Sequence, residues 1–156
     1  MTTTKAQNGK ASTVKKTFSR ETAVSIDIKA DQSIIWTLLT NASDYPRWNS
    51  TFNSLEGDIK LGQKIGLNVK LDPKRTFKVK VKEFEPENRM IWGDGKGNRE
   101  FTLTDKGNGI VNFSMQEKIG GLMFPMYAKF IPPFDEAFET FAADLKKEAE
   151  VIAASK

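Results

Sequence analysis

Residues 21–117 repeat one pattern: short runs in which apolar and polar residues alternate, separated by Gly, Pro, Asn and Asp. A period of two sends successive side chains to opposite faces, so each run predicts a strand with one buried face. Val24, Ile26 and Ile28 alternate with Ser25, Asp27 and Lys29. Ile65, Leu67, Val69 and Leu71 oppose Lys64, Asn68 and Lys70, and Phe77, Val79 and Val81 oppose Lys78, Lys80 and Lys82. Further strands are expected around Leu55, around Met90, Ile91 and Trp92, at Phe101 and Leu103, and at Val111, Phe113, Met115 and Glu117. Connections this short force antiparallel pairing, because a parallel crossover takes a dozen residues or more. Asp105, Gly107, Asn108 and Gly109 mark a tight hairpin between the last two strands.

A sheet with one apolar face must be covered. Two segments can do it. Asp31 is placed as an N-cap for an amphipathic helix carrying Ile34, Ile35, Leu38 and Leu39, which ends near Asn41. Pro133, a good first helical residue, opens a longer helix to about Ala154, with Phe134, Phe138, Phe141, Leu145 and Ile152 on one stripe. Asp135, Glu136 and Glu139 complement its N-terminal dipole. The economical solution is α+β: a strongly curved antiparallel sheet of about seven strands wrapped around the C-terminal helix, with one or two short helices after the first strand. Such a grip encloses a concavity between sheet and helix.

Composition narrows the chemistry. The chain of 156 residues has no His and no Cys, which excludes Ser-His-Asp and Cys-His catalysis and Cys/His zinc sites. No metal or cofactor is implied, and any enzyme would rely on carboxylates, Lys, Arg or Tyr. The net charge of +4 suggests an anionic partner until its location is considered. Lys5, Lys10, Lys15, Lys16 and Arg20 stand in residues 1–20 with no acid, and the rest of the chain is close to neutral. Residues 1–20 therefore read as a flexible basic leader and residues 21–156 as one domain. Nucleic acid is not an expected partner: the positive stripe at Lys70, Lys74, Arg75, Lys78, Lys80 and Lys82 lacks exposed aromatics for stacking. Gly93, Gly95 and Gly97 precede a strand, so they form no phosphate loop. With no secretory signal and no apolar run long enough to span a bilayer, a cytoplasmic monomer or homodimer is expected.

Ile34-Ile35-Trp36, then Asp44, Tyr45, Pro46, Trp48 and Asn49, then Gly62, Phe84 to Pro86 leading to Ile91-Trp92, the glycine-bearing hairpin, and Glu117 followed by Gly120-Gly121-Leu122 together resemble the START-like (SRPBCC) helix-grip superfamily. That group includes polyketide cyclases/dehydrases, Bet v 1 allergens and START lipid-transfer domains. The resemblance covers about residues 21–154 and implies the helix-grip fold. It implies no single reaction, since binding, transport, cyclisation and co-chaperone roles share this scaffold.

The leading expectation is binding, in the setting of transport or sensing, of a small hydrophobic ligand or lipid in an internal cavity without covalent chemistry. Trp48, Trp92, Phe101, Phe113, Met115, Glu117, Met123, Tyr127, Phe134, Phe138 and Phe141 are the candidate lining. Each aromatic has the competing role of plain core packing. Glu117 shares strand parity with Phe113 and Met115, so it points inward, either as a polar anchor or acid/base or as half of a salt bridge to a Lys or Arg. The alternative function is a polyketide cyclase- or dehydratase-like enzyme with Glu117 as acid/base and Tyr127 or Arg47 orienting the substrate. The apolar stretch over residues 119–133, interrupted by glycines and prolines, is expected to serve as a gate. A second use for it is transient docking on a membrane through Phe124, Met126, Tyr127 and Phe130.

Overall fold

The computed structural model describes residues 8–156. The alternating runs become strands β1 (Ser12–Lys15), β2 (Ser19–Ile28), β3 (Phe52–Glu56), β4 (Lys64–Val69), β5 (Phe77–Glu85), β6 (Arg89–Gly93), β7 (Gly97–Gly107) and β8 (Ile110–Gly120). All belong to one antiparallel sheet in the order β1-β2-β8-β7-β6-β5-β4-β3. Helices α1 (Gln32–Thr40) and α2 (Tyr45–Trp48) separate β2 from β3, and α3 (Phe124–Tyr127) and α4 (Asp135–Ala154) follow β8. The architecture is the expected α+β grip.

Strand β1 makes eight strands where about seven were expected, and it lies in the segment read as a flexible leader. Backbone pairing needs no apolar side chain, and the edge of β2 offers unpaired groups. Ser12 to Lys15 pair there with Ala23 to Arg20. The early acids of α4 add side-chain partners: Ala11 N–H donates to Glu139 Oε2 at 2.9 Å and Thr13 Oγ1 donates to Asp135 Oδ1 at 2.5 Å. The rest of that leader, residues 1–7, lies outside the described residues.

Strands β2 and β8 pair from Ser19↔Gly120 to Ile28↔Val111, which joins the start of the sheet to its last strand. Bulges between Phe52 and Ser54 and between Val81 and Glu83 bend the far half. In the β7–β8 hairpin Gly107, Asn108 and Gly109 all take positive φ (80°, 57° and 76°), as that tight turn requires. Helix α4 starts two residues later than Pro133 suggested, because its first helical bond runs from Phe138 N–H to Phe134 C=O at 2.8 Å.

The core lies between the concave face and the stripe Phe138, Phe141, Ala142, Leu145 and Ala149 of α4, all buried. Phe141 is its hub. Its ring packs against Tyr45, Trp48, Phe52, Phe101 and Phe113 at centroid distances of 5.9 to 6.2 Å. Trp36 is also core, edge-on to Phe84 at 5.4 Å. Among the described residues no helix is long and apolar enough to cross a membrane.

Candidate functional site in the grip

The concave face is apolar rung by rung until it nears the start of α4. Val24 faces Met115, which faces Phe101, which faces Met90, and all four side chains are buried. One step toward the start of α4, the corresponding rung reads Thr22, Glu117, Arg99 and Trp92. The parity that directs Phe101, Phe113 and Met115 inward also directs Arg99 and Glu117 inward. Arg99 Nε donates to Glu117 Oε1 at 2.7 Å, and the two side chains are 16% and 18% exposed. The Arg99 guanidinium also lies over the rings of Phe138 at 4.9 Å and Phe141 at 6.0 Å. Of the two roles open to Glu117, the salt bridge is the one formed.

A second buried cation stands one step further out. Arg20 donates from Nη1 to the carbonyl of Ile131 at 3.2 Å and from Nη2 to that of Pro132 at 2.8 Å, and its guanidinium covers Phe134 at 4.8 Å. Burial pulls its pKa down while Asp135 and Glu117 pull it up, and the net direction is downward. Arg20 thus clamps the C-terminal end of the 121–134 segment to β2. Strand parity with Val24 places both Arg20 and Thr22 inward, and parity with Phe101 does the same for Arg99. Arg20 falls at the end of the segment that reads as a leader and Arg99 falls between the glycines and Phe101, so neither belongs to an alternating run in the sequence.

The expected lining residues divide into three groups. Trp48, Trp92, Phe101, Phe113, Met115, Phe138 and Phe141 are buried together in the core. Phe134 and Tyr127 are half-buried at its edge, Phe134 stacked on Phe138 at 6.1 Å and Tyr127 edge-on to Phe124 at 5.6 Å. Met123 is 58% exposed and lines nothing inside, whereas its neighbour Phe124 is 4% exposed. Phe124 is buried outside the main core cluster, edge-on to Tyr127. Arg47, the other candidate for orienting a substrate, lies outside the grip, paired with Asp44 and Glu148 at 2.8 Å each. Arg47, Tyr127 and Glu117 therefore do not converge.

Around Phe141 two donors are buried without an acceptor, Trp48 Nε1 and, in the next residue, Asn49 Nδ2. Tyr45 beside them is fully buried and satisfied, its hydroxyl donating to the Leu39 carbonyl at 2.7 Å, and burial pushes its phenol pKa up. Two open concavities lie at the surface. One of about 250 Å³ is bounded by Ala30, Gln32 and the β7–β8 hairpin. The other, of about 270 Å³, lies between the β1–β2 turn and α3, lined by Lys15, Lys16, Arg20, Phe124 and Lys129 among others. Among the described residues no cluster of acids could hold a metal ion.

No protein-family model matches the sequence, and no curated protein does. Solved structures do match in shape. The Zhui aromatase/cyclase from Streptomyces sp. R1128 superposes with a TM-score of 0.68 at 13% identity, covering 85% of this chain and 94% of that one. A START superfamily protein from Mycobacterium smegmatis gives 0.63 at 14% identity, covering 85% and 98%. A conserved protein of unknown function from Enterococcus faecalis gives 0.63 at 14% identity, covering 91% and 78%. With the curved antiparallel sheet, the long C-terminal helix and these neighbours in agreement, the chain has the START-like, Bet v 1-like helix-grip fold.

Proposed function

We propose that this protein binds a small hydrophobic ligand or lipid between the concave face and the N-terminal half of α4, without covalent chemistry. The observation that carries the reading is the Thr22–Glu117–Arg99 rung, a charged layer that with Arg20 beside it closes an apolar concave face near the start of α4. A partly buried ion pair adds little net stability over apolar residues of the same size, and its place on the inward face favours a role in recognition. Arg99 and Glu117 offer a ligand's polar group a donor and an acceptor, and Phe134 and Phe138 offer rings to its apolar body. Trp48 Nε1 and Asn49 Nδ2 are further buried donors without an acceptor. The fold neighbours, one an aromatase/cyclase and one a START protein, are consistent with a scaffold used for small molecules and leave the chemistry open.

With the rings of the interior in mutual contact, entry requires the 121–134 segment to swing out, carrying Phe124 and releasing the Arg20 clamp. Native mass spectrometry of the protein purified from its own cells tests binding: a stable added mass that disappears on denaturation is expected. Its absence, together with no uptake of an apolar dye, would overturn the proposal. Limited proteolysis tests the gate. Arg20→Met removes two charge-assisted hydrogen bonds and should raise cleavage within 121–134 by about tenfold or more. Cleavage there that neither Arg20→Met nor an apolar ligand changes refutes the gate.

A further inference from the structure

The outer side of the same segment has a different character. Leu122, Met123, Met126 and Phe130 are 87%, 58%, 68% and 74% exposed, and Phe18 beside them is 52% exposed. Phe18 belongs to the same surface because its carbonyl accepts the Gly121 N–H at 3.0 Å. Five large apolar side chains presented together are more than scattered exposure accounts for. The expectation for a docking set is corrected in the process: Phe124 turns inward and Tyr127 is half-buried, and Leu122 and Met123 take their places.

The charge around this patch is predominantly basic, with acids at its margin in Glu21, which pairs with Lys118 at 3.8 Å, in Asp94, which accepts the Lys96 N–H at 2.7 Å, and in Asp135, which accepts from Thr13. Residues 10–20 and 118–134 contain Lys10, Lys15, Lys16, Arg20, Lys118 and Lys129 and no acid. Lys15, Lys16 and Lys129 border the concavity between the β1–β2 turn and α3. The Lys129 ammonium lies over Phe130 at 5.2 Å, and Lys96 brings another over Tyr127 at 5.6 Å. Among the described residues none of Lys15, Lys16, Lys96 or Lys129 is in an ion pair.

From this we infer that Phe18, Leu122, Met123, Met126 and Phe130, ringed by Lys15, Lys16, Lys96 and Lys129, form a docking surface for an anionic phospholipid bilayer. Apolar side chains enter the headgroup–acyl boundary while the lysines remain among the phosphates. The lysines around these apolar side chains match the phosphates of an anionic bilayer, and residues 118–134 themselves carry two lysines and no acid. The surface lies on the outside of the gate, so the inference stands independently of whether the interior takes a ligand.

Co-sedimentation of the full chain with vesicles is the test. Binding is expected to phosphatidylcholine vesicles containing phosphatidylserine, to weaken as salt is raised, and to be far weaker to phosphatidylcholine alone. Replacing Lys15 and Lys16 together by Ser should lower partitioning about thirtyfold. Met126→Asp and Phe130→Asp should each lower it about tenfold or more. All four positions are exposed, so circular dichroism should stay unchanged. The native Trp36, Trp48 and Trp92 are buried, so in Phe130→Trp an emission quenched by lipids brominated on the acyl chain reports insertion at position 130. Equal binding to neutral and anionic vesicles, no response to the aspartate variants, or no quenching would overturn the inference. So would a vesicle-independent dimer that Phe130→Asp dissociates, which would assign the patch to a second copy of this chain.

Discussion

Replacing Arg99 and Glu117 singly and together separates a stabilising ion pair from one retained for recognition. At 2.7 Å two opposite charges attract by about 6 kcal/mol in a medium of effective dielectric about 20. Taking both out of water costs several kcal/mol per ion, so the net is near zero. Removing one partner exposes that cost. Arg99→Met leaves the Glu117 carboxylate without its hydrogen-bonded partner, with Arg20 as the remaining nearby cation. A fully buried orphan costs about 3–5 kcal/mol, and since Glu117 is 18% exposed, about 2–3 kcal/mol is expected. Glu117→Gln is milder, at about 1 kcal/mol, because Arg99 keeps the faces of Phe138 and Phe141 and a neutral carbonyl acceptor. The double variant Arg99→Met/Glu117→Met should return to within about 1 kcal/mol of the native protein. Urea unfolding followed by tryptophan fluorescence reads all three, with coupling taken from the double-mutant cycle. In parallel, the double variant should lose affinity for an apolar probe bearing a polar head despite native stability. Additive losses, with the double variant as unstable as the sum of the singles, would refute the reasoning.

Phe141→Ala removes the ring on which five others converge and should cost about 4 kcal/mol, lowering Tm by roughly 12 °C in a thermal melt. Gly93→Ala would place a Cβ 2.1 Å from Asn98 Oδ1 and 2.4 Å from the Gly97 carbonyl; forced movement of the β6–β7 backbone should cost about 2 kcal/mol or more in the same melt. Stability should fall on acidification in part through Asp27 and Asp44. Asn112 and then Lys106 hold the Asp27 carboxyl below the usual range, and Arg47 does the same for Asp44. A depressed folded-state pKa means that this contribution is complete above the unfolded value near about 4 and disappears as pH drops through the folded value. Asp27→Asn should therefore flatten the acid limb of stability against pH, measured by urea titrations at a series of pH values.

The strands and their inward faces were readable because period-2 alternation is a local property that a half-buried sheet imposes directly on sequence. Val24, Ile26, Phe113 and Met115 all point where their parity directs them. Glu117 was legible for the same reason. Its partner was not, because Arg99 follows a string of glycines that read as a loop, and only pairing across β7–β8 makes it a strand residue. Strand β1 escaped notice because Ser12–Lys15 has no apolar face of its own; what orders it is the free edge of β2 and the acids of α4. In the 121–134 segment no periodicity exists to say which side chain turns inward, and tertiary contact alone selected Phe124 over Met123.

By itself, the sequence determined the α+β grip: alternation demands half-buried strands, short connections demand antiparallel pairing, and one long apolar stripe must cover the resulting face. It also placed five cations without an acid in the first twenty residues. The tertiary structure decided what those features became. Long-range pairing set Arg99 against Glu117 on the inward face, and the β1–β2 turn brought Lys15 and Lys16 beside Phe124 and Lys129 and Phe18 beside Gly121. Charge and hydropathy are written residue by residue, but a charged rung or a basic rim exists only when distant segments meet. Which segments meet depends on the closure of the whole sheet around α4.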